Sequence, residues 1–366
     1  MNIDGHKLHF HPDVVSKIIA AEKDPSKLQQ VPPIYVEISP VGACNHRCTF
    51  CAVDYIGYDA HNRLKKEDLI SVIEDMGKIG VKSIMFAGEG EPLLHSSMAE
   101  IVGAARRSMI DVAFTTNAVP LTKKFVDSAL DKISWIKVSL NAGSPSTYSK
   151  VHRTREKDFQ IVIDNLKYAV KFKKENNLSV KIGVQSILLP ENKHEMYDLA
   201  KMVRDEIGVD YFVVKPFSQE PSSINTQYID INYMSDSLRS EEESICSLSN
   251  DNFNVEYRSE TMLNYHEDSD RRYTTCYSTP IVMAYLMANG DIYGCKDHLL
   301  DPKFCYGNIL NNSFKEIWHG KKRFDSLSYV LNDLDVSNCR VNCRLDKVNR
   351  FLADLIDDKV LHKNFI

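Results

Sequence analysis

The run Ile34-Tyr35-Val36-Glu37-Ile38, followed by Cys44-Asn45-His46-Arg47-Cys48-Thr49-Phe50-Cys51, decides how the rest of the chain is read. β-Branched and aromatic residues dominate the first stretch, so it reads as a strand. The thiols then lie on a loop leaving a strand's C-terminal end, where α/β folds place their chemistry. Their spacing is C-x3-C-x2-C. Three close soft thiolates select an iron–sulfur cluster or zinc over oxygen-loving ions. Structural zinc closes with four ligands. No fourth Cys or suitably spaced His pair follows locally, and His46 would have to fold back to serve. A cubane held by three cysteines leaves one iron open to a small molecule.

Outward from residue 34, strand-like and helix-like stretches alternate. Val81–Phe86, Val112–Thr115, Trp135–Leu140, Val180–Gln185 and Tyr211–Lys215 read as strands. Helical patterns fall near 66–79, 96–108, 121–131, 158–175 and 193–207. Strands separated by helix-length crossovers imply a parallel sheet with right-handed connections. Six such units predict an α/β fold, a partial (β/α)6 TIM barrel over residues 34–217. Residues 1–33 form an N-terminal extension with a helix from Pro12 or Asp13 to about Glu22, read as a packing lid for the barrel. Residues 218–270 read as a linker closing its open side, with a polar helix from about Asp236 to Ser249. Residues 271–366 read as a small α+β domain. It opens on a hairpin, Ile281 to Tyr293, turned at Asn289-Gly290, and closes on helices at Ser313–Ser328 and Leu345–Asp357.

At 366 residues the chain accommodates one large domain and a smaller one. A net charge of −5 argues against a broad nucleic-acid surface. The N-terminus lacks a signal-peptide pattern, and no apolar run reaches membrane-span length. Nine cysteines without such a signal point to a reducing compartment and to metal use rather than disulfides. The expectation is a cytoplasmic enzyme with no membrane or nucleic-acid partner.

Gly88-Glu89-Gly90-Glu91-Pro92 follows the second strand. With the cysteine loop one β/α unit earlier, it resembles the radical S-adenosylmethionine (SAM) superfamily, whose signatures are C-x3-C-x-aromatic-C and a GGEP-like loop. The resemblance implies that Cys44, Cys48 and Cys51 hold a [4Fe–4S] cluster whose open iron chelates SAM. It sets Phe50 beside the adenine, and Gly88, Gly90 and Glu91 around the SAM ammonium. Glycine lets the backbone approach, and a carboxylate accepts charge-assisted hydrogen bonds. Glu89 departs from the commonest form and is read as facing substrate or standing behind the SAM contacts. The resemblance further implies SAM contacts from Thr116, Asn117, Ser139 and Gln185, at strand C-termini, and from Arg153 or Arg155, with Arg153 preferred for the SAM carboxylate. Asn141 stands where an Asp is often seen. Lys215, at the end of a buried strand, is read as holding an anionic substrate group, and His152 as a substrate donor.

Cys276, thirteen residues, Gly290, four residues and Cys295 form C-x13-G-x4-C, and Cys339 and Cys343 form C-x3-C. This resembles the SPASM/twitch accessory domain, and implies one auxiliary [4Fe–4S] cluster on Cys276, Cys295, Cys339 and Cys343. Zinc at the same four thiols is the alternative. Cys246 and Cys305 remain; Cys305, between ligands in sequence, is a candidate alternative ligand or hydrogen-atom donor.

The resemblance implies reductive cleavage of SAM to a 5′-deoxyadenosyl radical, then hydrogen abstraction from substrate. An electron donor such as flavodoxin or ferredoxin is the implied partner. With only 33 residues before the first strand, no leader-peptide-gripping domain is expected. The expected substrate is therefore a small polar molecule, a carbohydrate, aminocyclitol or sugar nucleotide, undergoing dehydrogenation or epimerisation. Maturation of a ribosomal peptide is the alternative enzyme, and a non-catalytic iron–sulfur or zinc protein the alternative of another class.

Overall fold

A computed structural model describes residues 6–21, 24–217, 219–230, 238–264, 271, 273–279 and 281–356. The predicted termini at Glu22, Asp236 and Asp357 lie outside these residues. The strands are β1 (Tyr35–Ile38), β2 (Ser83–Phe86), β3 (Asp111–Thr116), β4 (Trp135–Ser139), β5 (Lys181–Ile187), β6 (Tyr211–Lys215), β7 (Asn254–Tyr257), β8 (Met283–Leu286), β9 (Asp291–Tyr293) and β10 (Cys305–Asn308). Helices α1 (Pro12–Ala20), α2 (Lys66–Ile79), α3 (Met98–Arg107), α4 (Lys123–Ala129), α5 (Pro145–His152), α6 (Lys157–Glu175) and α7 (Met196–Met202) accompany the first six strands. α8 (Leu238–Cys246) and α9 (Ser259–Leu263) flank β7, and α10 (Phe314–Trp318), α11 (Lys321–Asn332) and α12 (Asp346–Ile356) follow β10.

One sheet runs β10-β9-β8-β1-β2-β3-β4-β5-β6-β7. From β8 through β7 every neighbouring pair is parallel. Two features go beyond the sequence reading. The segment expected as a linker contributes a seventh parallel strand, β7, beside β6. The C-terminal hairpin does not stand apart: β8 pairs with β1, Tyr35 opposite Met283 and Ile38 opposite Leu286. The predicted helix at Ser313–Ser328 is two helices, α10 and α11, with Gly320 between them.

Side chains alternate across each strand. Val36, Ile38, Ile84, Phe86, Val112, Phe114, Ile136, Val138, Val184 and Val214 pack into one continuous core with residues of α2, α3, α4 and α6. The intervening positions, among them Glu37, Thr115, Lys137, Gln185 and Lys215, therefore line the concave face. The N-terminal extension packs Val15, Ile18, Leu28 and Val31 against Ile281, Val282, Leu327 and Leu352. Trp318 Nε1 donates to the Val31 carbonyl at 2.7 Å, four residues before β1. The extension thus caps the strands' N-terminal end, opposite the cysteine loop, and ties it to the C-terminal helices.

Candidate active site

The cysteine loop is fastened on three sides. Glu91 N donates to Ala43 O at 2.9 Å, and Arg47 N and Thr49 N donate to His152 O and Val151 O at the end of α5. Ser223 Oγ donates to Cys51 O at 3.2 Å, from the segment after β6. Gly90 makes the first contact possible: a Cβ there would fall 2.3 Å from Val41 O and 2.4 Å from Ala43 O. Gly88 has φ of +116°, and a Cβ would meet Ser39 and the Tyr285 hydroxyl at 2.6 Å. Both glycines are needed for the strand ends to approach before any ligand is considered.

Burial raises the pKa of all three thiols, Cys44 to about 12, and each of Cys44 and Cys48 is pushed further by its neighbours' charge. Buried thiols that repel one another as thiolates suit a metal centre that neutralises them together. The His46 amide faces Cys44 Sγ at 3.5 Å. His152 is fully buried. Its Nε2 donates to the Leu140 carbonyl at 3.0 Å, which leaves Nδ1 against Cys48 Sγ at 3.1 Å. Burial, then His46, holds its pKa down at about 3. His46 has both ring nitrogens buried without a hydrogen-bond partner among the described residues. The ligand atoms of His46, Cys48 and His152 all lie within 4.8 Å of one another. The histidine that sequence reasoning discounted thus does fold back on the thiol loop, as a mixed N/S group beside the three-thiol set.

Glu91 is buried, and its carboxylate accepts from Thr116 Oγ1 at 2.7 Å, Asn117 N at 2.8 Å and Leu93 N at 3.0 Å. Burial raises its pKa to about 7 against these hydrogen bonds. Asn117 Nδ2 donates to Asn45 Oδ1 at 2.7 Å, clamping β3 to the cysteine loop. Glu89 turns away, accepting from the amide of Ala288 in the β8–β9 turn. It joins the C-terminal hairpin to the barrel. Asn141, at φ +52°, accepts from Ile187 N at 2.7 Å, locking the end of β4 to β5. Phe50 packs with Val151, Leu189 and Phe217, and lies edge-on to His152. Ser139 and Gln185 sit opposite each other on the concave face of β4 and β5. Arg153 reaches Asn225 at 3.0 Å, and Arg155 pairs with Asp158; neither contacts the thiol loop among the described residues. Asp54, which sequence reasoning passed over, accepts from Ile224 N, Asn225 N and Asn225 Nδ2, tethering the loop after Cys51 to the segment after β6.

Four thiols converge in the C-terminal domain. Burial, then nearby charge, raises the pKa of Cys295, Cys339 and Cys343; Cys276 acts on all three, and Cys343 on Cys295. Asn349 Nδ2 donates to Cys276 Sγ at 3.4 Å. Such a partly buried set fits a four-thiolate cluster. Cys305 sits on edge strand β10, opposite Tyr293 and interacting with its hydroxyl, against the same apolar cluster as Cys276 and Cys295. The two thiol groups are linked through Glu37 on β1, which is fully buried. It accepts from Lys296 Nζ at 3.1 Å, from Arg344 Nη1, and from Tyr35 Oη at 3.1 Å. Lys296 and Arg344 directly follow Cys295 and Cys343.

The radical SAM superfamily profile matches residues 38–203, and the SPASM iron–sulfur cluster-binding domain matches residues 276–344. A GTP 3′,8-cyclase of Listeria monocytogenes is 27% identical over 203 residues, 53% of this chain and 58% of the cyclase. A probable GTP 3′,8-cyclase of Thermococcus kodakarensis is 25% identical over 173 residues, 46% of this chain and 53% of that protein. The matches thus span little more than half of these relatives. Streptococcus suis SuiB bound to S-adenosylmethionine superposes with a TM-score of 0.65 at 21% identity, covering 95% of this chain and 79% of SuiB. Native anSMEcpe with bound AdoMet and a peptide superposes at 0.57 and 16% identity, covering 87% of this chain and 88% of that one. At these identities the likeness is one of fold. The two domains together imply SAM and two [4Fe–4S] clusters as cofactors. With both profiles falling on the two thiol groups, the chain belongs to the radical SAM superfamily, in the branch that carries a SPASM-type iron–sulfur domain.

Proposed function

We propose that the protein abstracts hydrogen from a small polar substrate, a carbohydrate, aminocyclitol or sugar nucleotide, and dehydrogenates it. Cys44, Cys48 and Cys51 would hold the SAM-binding cluster, and Cys276, Cys295, Cys339 and Cys343 the auxiliary one. When bound, SAM and its cluster supply a 5′-deoxyadenosyl radical, and the auxiliary cluster supplies a one-electron acceptor. Glu91, fixed by Thr116 and Asn117, presents its carboxylate beside the thiol loop for the SAM ammonium. Phe50 and Leu189 give an apolar wall suited to the adenine.

The observation that carries the substrate reading is the concave face itself. Between the two thiol groups it presents Glu37, Lys137, Gln185 and Lys215, a polar surface built at depth on rigid strands. That suits a small molecule whose many polar groups are each met. The position of Cys305, beside Tyr293 on the edge strand, favours dehydrogenation over epimerisation, which needs a hydrogen donor at the substrate. Peptide maturation is the second reading; it is supported by the fold shared with SuiB and anSMEcpe, structures of which contain peptides. We place the protein in the cytoplasm, with flavodoxin or ferredoxin as electron donor; no described helix is long and apolar enough to cross a membrane.

The test is to incubate reduced protein and SAM with pools of sugar nucleotides, aminocyclitols and peptides, and to measure 5′-deoxyadenosine by mass spectrometry. Stimulation by a small polar pool with a product two hydrogens lighter is expected. Stimulation by peptides alone would overturn the substrate class.

A further inference from the structure

Two lysines on the concave face stand without an ion-pair partner among the described residues. Lys137 on β4 and Lys215 at the end of β6 project from the face opposite the apolar core. Arg258 directly follows β7 and donates its backbone N–H to Val214 O, so it emerges beside Lys215. Lys296, Arg340 and Arg344 enter from the C-terminal domain. The carboxylates facing them are engaged. Glu37 pairs with Lys296 and Arg344, Glu256 with Arg258 at 3.0 Å, and Glu220 and Asp297 with Arg340 at 3.3 and 3.1 Å. Lys137 and Lys215 have no carboxylate within ion-pair distance among the described residues; the Lys137 ammonium lies 5.8 Å from the Trp135 ring and feels Glu37 only at longer range.

Two half-buried amines beside further cations hold their charge poorly unless an anion joins them. The strain shows in their ionisation. Burial, then Lys137, Arg258, Lys296 and Arg340, pushes Lys215 well below its ordinary range, and burial, then Arg344, pushes Lys137 to about 7. An apolar residue on β4 would pack there without this cost. A cleft lined by one sign of charge also concentrates the opposite sign.

We propose that this face binds a phosphoryl group of the substrate, a phosphomonoester or diphosphate as in a sugar phosphate or sugar nucleotide, seated among Lys137, Lys215, Arg258 and Arg340. The inference rests on the reading that substrate lies on the concave face, and it names that substrate's charged end. An anion between them would favour the charged form of both lysines, and two such charges match a phosphoryl dianion better than a single carboxylate. The two lysines stand at different depths, Lys137 level with Gly183 and Lys215 level with Ile187, so their long side chains would meet a bound group from two heights. Guanidinium groups at the rim add bidentate donors of the kind that recognise phosphate.

The experiment is calorimetric titration of the anaerobic, cluster-loaded protein, without SAM or reductant. The probes are inorganic pyrophosphate, uridine diphosphate, succinate and an acidic hexapeptide. Pyrophosphate should bind, more weakly as salt rises. Lys137→Met and Lys215→Met should each weaken it by at least about tenfold, as expected for losing a buried charge-assisted contact. Tighter binding of uridine diphosphate than of pyrophosphate assigns a nucleotide; equal binding assigns a simple phosphate ester. No pyrophosphate binding by wild type, unchanged affinity in both folded variants, or preference for succinate or the acidic peptide overturns the proposal. Should a variant fail to fold, wild-type selectivity for pyrophosphate over succinate decides alone. Because no SAM is present, failure to form 5′-deoxyadenosine would sink the catalytic reading and leave this result standing.

Discussion

Replacing Glu37 by Gln keeps the shape of the side chain and removes one charge from the joint between the two thiol groups. Burial alone would raise the Glu37 pKa; Lys296 and Arg344 instead hold it down at about 2, from 4.5. At about 1.4 kcal/mol per pH unit, that depression corresponds to about 3 kcal/mol of stability at neutral pH. The folded value is the lower one, so the contribution is complete above about pH 5 and is lost as pH falls toward 2. Arg344 keeps 43% of its side chain in contact with solvent and Lys296 32%. Water therefore recovers part of the loss, and we expect about 2 kcal/mol for Glu37→Gln. Urea unfolding of the cluster-loaded protein, followed by tryptophan fluorescence, should show the midpoint falling by about 1 M. The gap between wild type and variant should hold or narrow from about pH 6 to about pH 8, because the carboxylate is fully ionised throughout while Lys137, whose charged form it favours, loses its proton near pH 7. A chelator should also strip iron faster from the variant's auxiliary site, since Lys296 and Arg344 adjoin Cys295 and Cys343. Unchanged or increased stability, or a gap that widens with pH across that range, would refute the clamp.

Replacing Cys44, Cys48 and Cys51 together by Ala should lower reconstituted iron from about eight to about four per chain; retention of full iron, or stoichiometric zinc instead, would overturn the ligand assignment. Glu91→Ala should weaken SAM binding in equilibrium dialysis and cost about 2–4 kcal/mol, because three buried donors lose their acceptor; unchanged SAM affinity would reduce the loop from Gly88 to Pro92 to a structural turn. Cys305→Ala should form product at the wild-type rate with no solvent deuterium at the reacting carbon; a variant that stalls after hydrogen abstraction would restore the thiol as a donor.

The regular part of the fold was legible because its signals are local. The strand Tyr211–Lys215 and the helix Lys66–Ile79 match the predicted ranges residue for residue. β7 escaped because Asn254-Val255-Glu256-Tyr257 is short and follows a polar run. The parallel pairing of β8 with β1 carries no local signal at all, since it depends on partners distant in sequence. The seven cysteines proposed as cluster ligands stood out by spacing, whereas Asn45, Asp54 and Glu37 act through contacts from other elements. Glu37 and Lys137 did leave a mark: each is a charge in the middle of an otherwise apolar parallel strand, a position that must be covered on both faces. Glu89 was noticed, but its direction was set by Ala288, which no reading of the barrel alone would bring there.

Because β1 is flanked by β2 on one side and β8 on the other, Tyr35 pairs with Ser83 and also with Met283, the latter 248 positions later in synthesis order, a contact pattern that slows folding. During translation the edge of β1 that β8 will occupy stays unpaired until most of the chain has emerged, although the strands that follow can already pair. Lys296 and Arg344, which complete the pocket around Glu37, arrive later still. The barrel that carries the cysteine loop at Cys44 to Cys51 therefore stays half-built, its first strand unpaired along one edge, for as long as the ribosome takes to reach the hairpin.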